Sequence, residues 1–194
     1  MGRVITITGP HGSWKDTLIH WALWEIPKSE KVVSSTDRLP RVWEIPDYSY
    51  HYRAVVPPEQ EIFDGIQVPT INTRTNLAWV NYWITKDHVK SLFEWDDEKV
   101  FLWHTAPTVI RKLRDEYKDR VYCIYLHADS NILVARLQER DGMSYDKAVE
   151  RLAHDPGNME SDSNRALGPK MFNSTIISNK PRELVLREFL NLIS

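Results

Sequence analysis

The segment that most constrains this chain stands at its start, where Arg3-Val4-Ile5-Thr6-Ile7-Thr8 runs directly into Gly9-Pro10-His11-Gly12-Ser13-Trp14-Lys15-Asp16-Thr17. A short β-branched, apolar run reads as a buried strand, and the Gly-Pro-His-Gly after it breaks the strand and opens a turn. Leu18, Ile19, Ala22 and Leu23 then recur at helical spacing, which predicts a helix from about Lys15 with Pro27 marking its end. In this order of strand, glycine loop and helix, backbone N–H groups surround phosphate oxygens and a lysine reaches those of the β and γ phosphates. Gly9, Gly12, Lys15 and Thr17 stand where such a loop needs them, with Ser13 between.

Two letters depart from the usual loop. The residue before the lysine, commonly glycine, is Trp14; a left-handed backbone there costs an L-residue about 1–2 kcal/mol. Trp14 either covers a nucleotide or simply packs. Asp16 takes the slot where a Ser or Thr hydroxyl commonly ligates Mg²⁺. A carboxylate about 5 Å from a phosphate charge repels it by roughly 3 kcal/mol at an effective dielectric of 20, and a Mg²⁺ between them reverses the sign. Asp16 and Thr17 are therefore the metal candidates. On this segment alone, an ordinary strand-to-helix turn carrying an exposed lysine also stays open.

The chain has 194 residues, enough for one domain with one or two small flaps. Further strands are expected at 32–33, 100–103, 121–126 and 175–177, with helices near 107–116 and 130–140 and a closing helix from Pro181 through Leu192. That alternation predicts an α/β fold, a doubly wound parallel sheet flanked by helices. Two stretches interrupt it. Residues 35–85, rich in Pro, Tyr, Trp and Thr, read as a small β-rich flap for the acceptor; residues 141–168, polar and turn-rich, read as a helical lid. The core is then 1–34, 86–140 and 169–194. Trp21, Trp24 and Trp103 are assigned to or beside the core, and Asp141, Asp146 and Asp155 to solvated positions on the lid.

A net charge of −2 with scattered basic residues disfavours a stable nucleic-acid complex. The one cysteine, Cys123, lies in an apolar run and reads as a buried thiol, so no disulfide framework exists and a reducing cytoplasm suits the chain. No apolar stretch reaches the roughly 20 residues of a membrane span. Small-molecule partners and a monomer or homodimer are expected.

After the first helix comes Val33-Ser34-Ser35-Thr36-Asp37-Arg38-Leu39-Pro40-Arg41, with Tyr50-His51-Tyr52 downstream. Arginine forks take phosphate oxygens two at a time, and Ser and Tyr add neutral hydrogen bonds. Together with the loop, this order resembles the guanylate kinase family, whose members carry G-P-S-G-x-G-K-S-T, then V-S-x-T-T-R-x-P-R and D-Y-x-F. The resemblance implies a P-loop kinase of the nucleoside monophosphate kinase type, using ATP and Mg²⁺. It puts Ser34, Arg38, Arg41, Tyr50 and Tyr82 on the acceptor phosphate. The run from Leu133 to Arg140 resembles the family's L-x-x-R-L-x-x-R, which implies that Arg136 and Arg140 face the triphosphate, with Arg151 as a third. The stretch 172–179 resembles F-D-x-x-I-x-N, which puts Asn179 near the adenine.

Three departures bear on the substrate. Leu102-Trp103-His104-Thr105 stands where the family has L-D-I-D; His104 or Thr105 substitutes for the acids, or His104 packs. The guanine-reading acid has no counterpart among residues 72–76, where Asn72 or Asn76 would read a different base edge, so guanine specificity is not implied. The Lys15-Asp16 pair also looks like the G-K-D-S/T of ribose 1,5-bisphosphate phosphokinases. A nucleoside or deoxynucleoside monophosphate kinase is the leading expectation; a sugar-phosphate kinase of that kind, or a guanylate-kinase-like binding module without catalysis, are the alternatives.

Overall fold

The computed structural model describes residues 3–40, 44–69, 79–94, 98–155, 157–158 and 171–193. Its elements run β1 (Arg3–Thr8), α1 (Lys15–Glu25), β2 (Ser29–Lys31), β3 (Ser35–Thr36), β4 (His51–Tyr52), β5 (Ile62–Pro69), β6 (Trp79–Thr85), α2 (Lys86–Glu94), β7 (Val100–His104) and α3 (Pro107–Tyr117). They continue with β8 (Val121–His127), α4 (Ser130–Asp141), α5 (Tyr145–Ala153), β9 (Ser174–Ile177) and α6 (Arg182–Ile193).

Five strands form one sheet in the order β2-β7-β1-β8-β9, every pair parallel. A parallel sheet is covered on both faces, so alternate residues of a strand enter different cores. In β1, Val4 joins Val89, Phe93, Trp103, Ile110, Leu113 and Cys123, the core beneath α2 and α3. Ile5 and Ile7 join Leu18, Ile19, Leu102, Ile124 and Phe189, the core beneath α1 and α6. A third cluster, Leu133, Val134, Leu137, Ala148 and Leu152, binds α4 to α5. Local signals set the ends of these helices. Pro107 opens α3, where a missing N–H costs nothing, Gly142 at φ 64° closes α4, and the Ser144 hydroxyl caps α5 by accepting from the Lys147 N–H.

The flap stretch builds its own four-stranded sheet, β4-β3-β6-β5, with β3 parallel to β4 and the other pairs antiparallel. The lid stretch begins as expected with a helix, α5; residues 156 and 159–168 lie outside the described residues. Cys123 is buried. Among the described residues no helix is long and apolar enough to cross a membrane.

Two expectations are corrected. The edge strand expected at 32–33 is Ser29–Lys31, and only the Val32 N–H continues the ladder, donating to the Leu102 carbonyl at 2.9 Å. Trp24 is 86 % exposed. At 100° per residue it lies roughly opposite Leu18 and Ala22 on α1, so the stripe that buries those residues turns Trp24 outward. Trp21 is half-buried under the Arg182 guanidinium, 5.1 Å from the ring centroid, and Trp103 is fully buried as expected.

Candidate active site

β1 is the central strand, and the chain leaves its C-terminal end between β7 and β8, the crevice in which open α/β sheets bind ligands. The loop there needs unusual backbone angles. Gly9 has φ 151° and Gly12 φ 84°, and a Cβ on Gly9 would overlap the Leu126 carbonyl, so glycine alone fits. Trp14 sits at φ 71°, ψ 21°, the left-handed conformation whose cost was anticipated from the sequence. No side chain caps α1, which leaves the amides of its first turn for a ligand. The Thr8 and Ser13 hydroxyls beside it are buried with no hydrogen-bond partner among the described residues. These orphaned donors, at the positive end of a helix, suit phosphate oxygens.

Lys15 is 7 % exposed and donates from Nζ to the Pro10 carbonyl at 2.8 Å, folded back over its own loop. This overturns the plain turn with an exposed lysine. Burial lowers the Lys15 pKa, against the Asp155 and Asp16 charges that raise it. Asp155 was expected to be a solvated lid charge; it is instead 4 % exposed. Its carboxylate accepts from the His11 backbone N–H in the loop and, at 2.8 Å, from the Gly157 N–H. Gly157 abuts the loop so closely that a Cβ would overlap the Gly9 carbonyl. The neighbouring His11 imidazole is pushed down to about 3 by burial, with Lys15 and Arg151 adding to the effect and Asp155 opposing it.

Asp16 faces His104 across 3.4 Å. Lost solvation raises the Asp16 carboxyl, but the His104, Lys31 and Lys15 charges outweigh it and hold the group below the usual carboxylate range. Thr17 is half-buried, and Thr105, buried, donates its N–H to the Ile7 carbonyl at 3.2 Å. No group of three His, Cys, Asp or Glu among the described residues is placed to hold a metal. Asp16 and Thr17, the two metal candidates, both stand in the first turn of α1.

The three lid arginines divide. The Arg136 guanidinium stacks on the Trp14 ring, 3.6 Å from its centroid, and donates to the Gly12 carbonyl at 3.0 Å and the Ser178 hydroxyl at 3.3 Å. Trp14 thus packs against a basic side chain of the site. Arg140 forks onto Asp141 with both distances 2.8 Å, and Arg151 reaches the same carboxylate at 3.1 Å. Asp141, 17 % exposed at its side chain, is therefore a bracket for two arginines rather than a solvated charge, whereas Asp146 is exposed. The Asn179 side-chain oxygen accepts from the Asp129 N–H at 3.0 Å, tying the end of β9 to the start of α4.

On the flap, Arg38 forks onto Glu44 at 2.6 and 2.5 Å, and its Nε donates to the Tyr82 hydroxyl at 2.8 Å. The Tyr50 ring centroid is 5.0 Å from the guanidinium, and the Tyr52 hydroxyl donates to Glu44 at 2.9 Å. Burial opposes the Arg38 charge and the bonds to Glu44 and Tyr82 outweigh it; burial, followed by Glu44, pushes Tyr52 up to about 12. The Ser34 carbonyl accepts from the His51 N–H at 3.0 Å, which holds β4 beside it. Arg41, Asn72 and Asn76 lie outside the described residues. Sequence reasoning missed Glu44, an acid between two arginines and three tyrosines, and Lys31. Burial lowers the Lys31 pKa while Asp16 and Glu44 raise it, so one amine feels both the loop and the flap.

No protein-family profile and no curated protein matches this chain. Solved structures do. Guanylate kinase from Anaplasma phagocytophilum aligns over 99 % of this chain and 84 % of its own, with a TM-score of 0.61 at 14 % identity. A gluconokinase from Sinorhizobium meliloti 1021 aligns over 98 % of this chain and 90 % of its own, at 17 % identity and a TM-score of only 0.48. With five parallel strands about a central β1, its glycine loop and its helices on both faces, the chain has a guanylate kinase-like P-loop kinase fold.

Proposed function

We propose that the chain is an ATP-dependent phosphotransferase that moves the γ-phosphate of ATP onto a nucleoside or deoxynucleoside monophosphate. One observation carries this reading: His20, whose ring bonds the Asp16 carbonyl at 3.1 Å, and the Lys31 amine both meet the Tyr48 ring, at 5.1 and 5.2 Å from its centroid, so the start of α1 and the flap border a common space. Donors for a triphosphate border that space on one side and donors for a phosphomonoester on the other.

Phosphoryl transfer asks little covalent chemistry of a protein, so position and charge neutralisation set the rate. Lys15 and the opening amides of α1 bind the transferring end of the nucleotide, with Gly9, Gly12 and Ser13 shaping the loop. Arg140 and Arg151, arrayed by Asp141, add positive charge from the lid. Arg136, held flat on Trp14, joins them around the triphosphate, and Asn179 contacts the adenine. Arg38, Arg41, Ser34, Tyr50 and Tyr82 orient the acceptor's phosphate, while Asn76, His104 and Thr105 contact the rest of it. A Mg²⁺ held by Asp16, Thr17 and water would supply charge neutralisation at the β and γ phosphates. Closure of the lid, 141–168, would exclude water from the reaction and suppress ATP hydrolysis.

His104 in place of an acid at the end of β7, with Asp16 after the lysine, favours as second reading a kinase of ribose 1,5-bisphosphate. A binding module without catalysis is opposed by the retained Lys15 and by Asp141 arraying two arginines. The deciding experiment measures ADP release from ATP and Mg²⁺ against a panel of ribo- and deoxyribonucleoside monophosphates, with ribose 1,5-bisphosphate included. Stimulation by one or a few nucleotides is expected. Stimulation by the sugar bisphosphate alone establishes the second reading, and none by any acceptor sinks both.

A further inference from the structure

Asp155 is a carboxylate where a phosphate site would be least expected to tolerate one. It is almost wholly buried, it takes a backbone N–H of the phosphate loop itself, and among the charges acting on Lys15 it is the leading anion. The Lys15 charge acts with it, and the His11 ring stands 3.9 Å from its carboxylate. An ion buried this deeply stays only because positive groups and N–H donors replace its water. Of these, Lys15 is assigned above to the nucleotide's phosphates, and the His11 N–H belongs to the loop that would surround them.

The contact is built in by sequence as well as by charge. Asp155 closes a turn of its own, accepting from the Gly157 N–H at its side chain and from the Asn158 N–H at its carbonyl, the latter at 3.0 Å. The Asn158 amide donates in turn to the Leu152 carbonyl at 3.1 Å, so the turn continues rigidly from the end of α5. Only glycine at 157 lets the turn lie against the Gly9 carbonyl, because any Cβ would overlap it. A preformed turn, a residue without a side chain at the point of contact and a carboxylate on a loop amide together make a fitted cover.

We propose that Asp155, with Gly157 seated against the Gly9 carbonyl, is an autoinhibitory plug of the phosphate loop, its carboxylate holding a loop amide and facing the lysine that a nucleotide's terminal phosphates need. A triphosphate and the Asp155 carboxylate repel each other at this range, so the turn must withdraw before the nucleotide seats. Apparent affinity is then the intrinsic affinity reduced by the fraction of molecules with the turn withdrawn. This rests on the reading of residues 9–17 as a phosphate site.

The test uses the full chain and two probes, ADP and inorganic tripolyphosphate, titrated calorimetrically against the wild type, Asp155→Asn and Gly157→Ala. Asp155→Asn keeps the shape and removes the charge; Gly157→Ala keeps the charge and breaks the approach. Each is expected to bind tripolyphosphate about tenfold tighter or more. In the wild type, saturating tripolyphosphate is expected to speed amide hydrogen exchange over 155–158, a readout that needs no variant. Equal or weaker binding by Asp155→Asn, or unchanged exchange there, overturns the plug while leaving the phosphate site standing. Absence of binding of either probe to every form, all folded, overturns the phosphate site and the plug together.

Discussion

Lys15 and Arg38 are both cations whose partners lie within the chain, and they should fail differently when removed. Lys15→Ala deletes the amine that donates to the Pro10 carbonyl, so transfer is expected to fall by about a thousandfold or more while the chain still folds. Turnover within tenfold of wild type would refute the role of Lys15. Arg38→Ala takes from the Glu44 carboxylate, 9 % exposed, the two-pronged guanidinium bond that it makes at 2.6 and 2.5 Å. A loss of about 3–5 kcal/mol is expected in urea unfolding, and Arg38→Lys should restore only part of it, since a point charge cannot replace the fork. A loss below 1 kcal/mol would show that Glu44 finds other partners. The loop was legible because its letters stand side by side. Glu44, Asp141 and Asp155 were not, because what each carboxylate does is decided by a donor that arrives from elsewhere in the fold.

His11 gives a pH dependence with a definite sign. Its folded pKa, about 3, lies below the ordinary 6.5, so between those values the unfolded chain binds the extra proton. Its contribution to stability is fully present above about 6.5 and is lost as pH falls toward 3. The slope of unfolding free energy against pH over that window should flatten in His11→Gln. An unchanged slope would mean that the imidazole is protonated in the fold.

At the scale of elements, α1 and α6 share one core, and their residues are not interchangeable. Phe189, fully buried in α6 against β1 and α1, should cost about 3–5 kcal/mol as Phe189→Ala. Trp24→Ser, on the outer face of α1, should stay within about 0.5 kcal/mol in the same unfolding titration. If the tryptophan matters as much as the phenylalanine, some partner covers it. Trp24 also marks where pattern reading fails: aromatic content argues for burial, while the angle around the helix decides it. Where chain direction and periodicity act together, as in β1, β7, β8 and α3, the elements fall within a residue or so of expectation. The short edge strand β2 slid because three residues on an edge carry almost no pattern of their own.

For the whole molecule, the doubly wound α/β class followed from alternation along the chain, and the flap's separate sheet from its composition. The order of strands did not, because nothing local tells β1 that its neighbours are β7 and β8. That placement has a consequence for how the protein is made. β1 is made long before both of its neighbours: Arg3 pairs with Val100, and Val4 with Val121. Until β7 leaves the ribosome this apolar, β-branched segment has no ladder to join, until β8 follows it has only one, and pairings so distant in sequence form slowly. Nascent chains ending before Val121 should therefore stay protease-sensitive at β1 and call on holdase chaperones, with protection appearing abruptly once His127 is free. The interval between the making of β1 and of its neighbours is a period of exposure, and β1 is the segment most at risk of sticking to a neighbouring chain before its own partners exist.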